Sequence, residues 1–552
     1  MNEHIQKQIV HSLLEKGFLP GPDLLQIHDL TPDAVLLALD RVASFSRDLL
    51  IVNKDLYSTF HHLSPSAPPL EVNWLDFDHT RVLLEKKNNT KPYHTFLETF
   101  TPHITPPPSL LQSPQDVQQH KNQIKKELVM SEPSVLVLKT YDEPSRKRTI
   151  KDFVSHYKHR YDFSVALLRN RIELVNLISI NRIKKKQDRE SVSVIGLVYD
   201  KMETKQGNII LTLEDTTGHV RVFAHKNGPL QHILPLVTYD EVIGVSGHMK
   251  NNLLFANTLL FPDIPVDHKG TTTPDDVCAV FISDVHVGSK MFLEKEFIQF
   301  IHWLNGEVGT DAQKALASKV QYLFVVGDVV DGVGVYPKQE AELLIPDIYK
   351  QYSKTKELLS QIRKDITIIM CPGNHDAMRI AEPQPAISTF SSVLAEMNNV
   401  ILLSNPALVK IHHTKESEGV SVLMYHGYSY DYYAATIEPI RTGGAYDRID
   451  LLMKYLLQKR HLAPSHTSTL YLPGLTHDPL LIDTLPDIFV SGHVHKSAVG
   501  SYNGVLLIGC SCWQAKTSFQ EKLGHNPDPG RVPVVNLKTR EVILMNFLES
   551  EV

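Results

Sequence analysis

Five times between residues 278 and 495, an apolar run of strand length ends in a short polar segment that carries Asp, Asn or His. CAVFIS leads into Asp284-Val285-His286, YLFVV into Gly327-Asp328-Val329-Val330-Asp331, and ITIIMCP into Gly373-Asn374-His375-Asp376. VSVLMY then leads into His426-Gly427, and PDIFVS into Gly492-His493-Val494-His495. Apolar runs of this length between turn residues read as strands buried on both faces, and the helical stretches between them complete an α/β arrangement. All five polar segments then lie at the carboxyl ends of strands, the edge where such sheets place their sites. One D-x-H pair, or one histidine after a strand, is an ordinary structural feature. A purely structural role would have to account for five of them in this order.

The donors are carboxylate, carboxamide and imidazole without thiolate, a set that suits divalent Mn, Fe or Zn better than copper or an iron–sulfur centre. Seven side chains supply enough bonds for two ions if one carboxylate bridges, and two ions about 3.5–4 Å apart activate a water and neutralise a phosphoryl group together. The glycines of GD, GN, HG and GH let the backbone turn sharply beside such ions. The four cysteines (Cys278, Cys371, Cys510, Cys512) are scattered, and Cys510 and Cys512 lack the C-x-x-C zinc spacing, so they read as packed thiols in a reducing cytosol.

A chain of 552 residues exceeds one ordinary hydrophobic core, and a multidomain α+β organisation follows. Residues 1–58 read as a small helical module, with Ile5, Ile9, Val10, Leu13 and Leu14 at helical spacing and Thr31-Pro32-Asp33 opening a second helix. Prolines and polar residues make 59–145 a flexible linker, and 146–190 a helical connector with Arg160, Arg169, Arg171 and the run Arg182-Ile183-Lys184-Lys185-Lys186. That run is either a solvated helix end or a phosphate contact through residues such as Lys185. From Ser191 to 268 the period changes to two, and the order of hairpins suggests a five-stranded OB-fold barrel, a strand binder or a partner-binding module, with Arg221 and Phe223 on its exposed face. No apolar run approaches the roughly 20 residues that span a bilayer, and the N-terminus lacks a signal-peptide pattern. A cytoplasmic location without membrane contact is expected. The formal net charge of −6 means that nucleic-acid contact must come from a local patch.

The series D-x-H, GDxxD, GNHD, H-G and GHxH resembles the calcineurin-like metallophosphoesterases over about residues 275–548. The resemblance implies a C-terminal α/β/β/α sandwich. It would have Asp284, His286, Asp328 and His495 hold one ion and Asp328, Asn374, His426 and His493 the other. His375 would assist the leaving oxygen, Asp376 would orient its imidazole, and Asp331 would support a ligand from behind. The ions implied are two divalent metals, Mn2+ first, with Fe or Zn as alternatives.

The wider order of helical module, linker, barrel and phosphoesterase resembles the small exonuclease subunits of archaeal family-D DNA polymerases and the B-subunits of eukaryotic replicative polymerases. FISDVHVGSKMF, VVGDVVDGVGVYP, CPGNHDAMR and GCSCWQAKTSFQEKLGHNPDPGRVPVVNL carry the closer, archaeal likeness. That likeness implies 3′–5′ exonuclease proofreading, a heterodimer with the large catalytic subunit, and DNA 3′ ends as substrate, with a sliding clamp or primase as further candidate partners. Its direction and substrate come from the resemblance; the metal chemistry alone fits other phosphate esters, and an idle scaffold subunit is the alternative from another class. The insertion from Tyr428 to about Leu481 is expected to border the cleft, with Tyr430 stacking on bases and Arg441 meeting phosphate, or else to be a packed lid.

Overall fold

The computed structural model describes residues 19–20, 51–52, 134–143, 146–183, 186, 188–387, 392–415, 417–474 and 477–548. The chain divides into two units, Met1–Lys125 and Lys126–Val552. In the first, Leu19–Pro20 pairs in parallel with Ile51–Val52. The helical module and nearly all of the expected linker lie outside the described residues, as does Lys185.

The second unit begins with strand β1 (Ser134–Lys139) and helix α1 (Ile150–Leu168), which starts at a reciprocal Thr149–Asp152 capping box. Five barrel strands follow: β2 (Ser191–Glu203), β3 (Ile209–Asp215), β4 (Gly218–Ala224), β5 (Val242–Lys250) and β6 (Leu253–Leu260). Next come β7 (Cys278–Ile282), α2 (Glu294–Leu304), β8 (Val320–Val326), α3 (Ile348–Leu359), β9 (Thr367–Cys371), β10 (Val400–Leu402), β11 (Ala407–His413) and β12 (Val420–Tyr425). The last group is α4 (Tyr430–Thr436), α5 (Ile449–Lys459), β13 (Ile488–Ser491), β14 (Ala498–Tyr502), β15 (Val505–Gly509), α6 (Ser518–Leu523), β16 (Arg531–Asn536) and β17 (Val542–Asn546).

Two six-stranded sheets face each other, one in the order β10-β9-β8-β7-β16-β17 and the other β14-β15-β13-β12-β11-β1. Alternation along β7 shows how the layers form. Cys278, Val280 and Ile282 pack against Phe297, Phe300 and Trp303 of α2, whereas Ala279 and Phe281 point the other way, into a core shared with Val422, Val490 and Ile508 of the second sheet. The outer face of that second sheet, including Tyr425, Phe489 and Leu507, is covered by α4 and α5 through Tyr433, Leu452 and Leu456. Strands buried on both faces are apolar throughout, as their sequences required.

One boundary needs correction. Residues 134–139, assigned above to the linker, form β1, which pairs antiparallel with β11. Their alternation, with Val135 buried and Leu136 and Leu138 outward, covers only six residues, and the partner strand lies far away in sequence. Local reading therefore had little to hold.

The barrel closes in the order β2-β3-β4-β6-β5 around Val194, Val198, Leu211, Val222, Val245 and Leu254. Two buried charge clusters fasten it and α1 to the segment between β12 and β13. Lys459 pairs with Glu241 at 2.7 Å, and Asp478 receives Arg160 at 2.9 Å and His461 at 2.8 Å. Arg160 is thus an internal anchor and not part of a basic connector surface, because its helix packs that face inward. Among the described residues, no helix is long and apolar enough to cross a membrane.

Candidate metal centre

The carboxyl ends of β7, β8, β9, β12 and β13 meet at one edge of the two-sheet stack. Three of the ligand-bearing loops pass through the left-handed region there, at Asp284 (φ 51°) and His286 (φ 53°), at Asp328 (φ 49°), and at His493 (φ 72°) and His495 (φ 57°). Each such conformation costs a non-glycine residue about 1–3 kcal/mol, and strain of this kind collects where side chains must converge. Two glycines make the convergence feasible. Gly327 adopts φ 83° beside His426, and a Cβ on Gly373 would collide with the Asp328 carboxylate.

The seven expected ligands converge as two sets. In the first, His286 Nε2 and His495 Nε2 lie 3.1 Å apart, and Asp284 Oδ1 is 3.3 Å from His495 Nε2 and 4.0 Å from His286 Nε2. Asp284 is fully buried, and its Oδ1 makes no hydrogen bond. In the second set, Asn374 Oδ1 stands 3.0 Å from both His426 Nε2 and His493 Nδ1, and Asp328 Oδ2 is 3.3 Å from His426 Nε2. The same Asp328 oxygen is 3.9 Å from His286 Nε2, so it stands between the two sets.

The opposite edges of these rings are held by the protein. Nδ1 of His286 donates to Asp331 Oδ1 (3.1 Å), Nδ1 of His426 to the Val326 carbonyl (3.0 Å), and Nε2 of His493 to Asp431 (3.2 Å). His495 meets Gln520 through Nδ1 at 2.9 Å. With the outer nitrogens of His286, His426 and His493 donating, the inner nitrogens of neutral rings present lone pairs toward carboxylate, carboxamide and one another. Cations resolve that convergence, and outer-edge partners of this kind are what fix ligand tautomers. The residues therefore fit divalent ions.

Among themselves the side chains favour charged forms, with a proton on His426 in the place where a cation would be held. Burial works against the charged form of Asp328, yet His426 and His375 hold its carboxyl well below the usual range. Burial likewise opposes charging of His426, but Asp328 lifts it to about 10. His375, half-buried, is lowered chiefly by desolvation. Its Nδ1 donates to the Asp331 carbonyl at 2.8 Å, and its backbone N–H donates to Asp328 Oδ1 at 2.8 Å.

Several expected roles change. Asp376 does not reach the His375 imidazole. It accepts from Gly373 N (2.8 Å), Val329 N (3.3 Å) and the Tyr352 hydroxyl (3.1 Å), so it braces the two ligand loops, and burial raises its carboxyl to about 7. The imidazole is held by the Asp331 carbonyl instead. Asp331 does support a candidate ligand from behind, with Gln339 and Gln514 each 2.9 Å from its carboxylate. Tyr430 is fully buried under Tyr425, with ring centroids 5.9 Å apart, and is not free to stack on a base. Arg441 is exposed on the short helix Glu438–Thr442, and Arg221 is exposed on β4. Sequence reasoning missed Asp431, Gln339, Gln514 and Gln520, which lie in or just beyond the quoted segments at positions that no ligand spacing singles out.

A family model for the B-type subunits of DNA polymerases alpha and epsilon matches residues 279–499. The chain is 41% identical over 390 residues to the DNA polymerase II small subunit of Methanothermobacter thermautotrophicus, covering 70% of this chain and 78% of that relative. The corresponding protein of Archaeoglobus fulgidus is 40% identical over 400 residues, 72% of this chain and 77% of the relative. That of Pyrococcus furiosus is 37% identical over 397 residues, 71% and 63% respectively.

Proposed function

The chain belongs to the family of archaeal DNA polymerase II small subunits, and from that premise we propose that it is a metal-dependent 3′–5′ exonuclease that trims DNA ends for a large catalytic subunit. The observation that carries this reading is the pair of donor sets sharing Asp328, with His375 against the same edge. The fold that supports it is read as an OB-fold barrel followed by a calcineurin-like phosphoesterase domain.

Asp284, His286, Asp328 and His495 would hold one divalent ion, and Asp328, Asn374, His426 and His493 the other, with Mn2+ the first candidate. Such ions supply an activated water and neutralise the negative charge that builds on a phosphoryl group. His375 keeps its ring plane through the Asp331 carbonyl, which leaves Nε2 to pass a proton to the departing sugar oxygen. Its lowered basicity, set first by burial, makes the protonated ring a stronger acid. Exposed Arg441 on the insertion would meet phosphate, a contact that positions DNA without reading sequence. A mismatched terminus frays at lower cost than a matched one, so a site that needs unpaired strand favours errors.

The test uses the purified chain, Mn2+ and end-labelled 3′-recessed DNA with matched or mismatched termini, for wild type and His375→Ala. Stepwise 3′ shortening that requires Mn2+, favours the mismatch and disappears in the variant is expected. A wild-type protein that binds Mn2+ but leaves DNA intact, alone and with the large subunit, would give way to the scaffold reading, or to a phosphatase reading if it hydrolyses another phosphate ester.

A further inference from the structure

We infer that the outer face of the barrel, where β4, β6 and β5 lie side by side, is a stacking platform for single-stranded nucleic acid, separate from the metal centre. In register, Phe223 of β4 sits beside Phe255 of β6, and Phe255 beside His248 of β5. The rings make a continuous row: Phe223 and Phe255 centroids are 4.8 Å apart, and His248 lies nearly parallel to Phe255 at 5.6 Å. Lys250, two residues from His248 on β5, holds its ammonium 5.8 Å over the central Phe255 ring. Arg221, two residues before Phe223 on the same strand, shares the outward face by alternation and is exposed. The alternate positions Val222, Ala224, Met249 and Leu254 fill the barrel interior.

Cross-strand aromatic pairs also stabilise sheets. Here, however, Phe223 and Phe255 stand outside the packed barrel core, half-buried, with Lys250 over Phe255 and Arg221 two residues from Phe223 on the same side of the row. The acidic group nearest along β3, Glu214, is 3.5 Å from His219. Flat rings in line, flanked by Arg and Lys, match a strand of unstacked bases and its phosphates. Such a surface is base-tolerant, because every base has a π face. This inference rests on the reading that the chain handles DNA, and it adds a place where unpaired strand is held away from the reacting end.

The test is fluorescence anisotropy of labelled oligothymidylate with the full chain in EDTA, so that nothing is cleaved. Phe223→Ala/Phe255→Ala is expected to weaken binding about tenfold or more, and Phe255→Leu, which keeps apolar area without a flat ring, to weaken it too. Arg221→Ala and Lys250→Ala should each flatten the slope of log affinity against log salt by about one. Both are exposed and should leave the melting temperature in place, so they decide the matter even if the double variant does not fold. Unchanged affinity and slope in these variants would overturn the inference. Intact DNA binding with lost co-purification of the large subunit would overturn it in favour of a protein interface. Because metals are absent from this measurement, failure of the exonuclease reading leaves its result standing, and failure here leaves nuclease activity standing.

Discussion

His493 Nε2 donates to the carboxylate of Asp431 at 3.2 Å, across a sequence separation of 62 residues. The contact joins a candidate ligand to the first helix of the insertion between β12 and β13, so the insertion takes part in arranging the candidate metal centre. Asp431→Asn is expected to lower Mn2+ affinity about 10- to 100-fold, the usual effect of removing a partner behind a ligating histidine. Isothermal titration with Mn2+ checks this. Unaltered affinity would mean that Asp431 does not orient His493 for metal.

Gly373 allows the Asn374 loop to press against Asp328, and a methyl group there meets the carboxylate shared by both donor sets. Gly373→Ala should destabilise the fold by about 1–3 kcal/mol through overpacking. It should also reduce metal binding, because Asp328 must shift. Chemical denaturation alongside Mn2+ titration separates the two effects.

Asp376 and His375 are neighbours with different duties. Asp376→Ala leaves two loop N–H groups and the Tyr352 hydroxyl without their acceptor, at about 1–3 kcal/mol for each buried group stranded. His375→Ala removes a half-buried ring outside the main core and should change the melting temperature little while abolishing turnover. A variant pair in which both melt alike would contradict this division.

His156 and His461 are buried beside Asp478, and desolvation first of all lowers them to about 3 and about 4. Both folded-state values lie below the unfolded value of about 6.5, so the native state keeps these rings neutral while the unfolded chain takes up protons. Stability is therefore fully present above about pH 6.5 and declines as pH falls toward 4, by about 1.4 kcal/mol per pH unit for each ring. His156→Phe, which keeps the ring stacked 4.9 Å from Tyr471, should make that decline shallower by about one proton. Urea denaturation at pH 4 to 7 measures the slope, and an identical slope in the variant would show that His156 is not a source.

The convergence of the candidate ligands was legible in sequence because a buried strand that ends in Asp or His reports both its burial and the edge at which it stops, through local pattern alone. The barrel was legible for the same reason: alternation and turn residues act over a few positions. Three things were decided only by tertiary structure. β1 pairs with β11 across some 270 residues of chain, and no local period encodes that partner. The buried tyrosines of the insertion, Tyr430 and Tyr433, have the same composition as a base-stacking surface, and only packing against Tyr425 and Tyr455 tells which they are. The partners behind the candidate ligands, Asp431, Gln339, Gln514 and Gln520, were likewise invisible, since a hydrogen bond needs an acceptor at the right place in space and imposes no spacing along the chain.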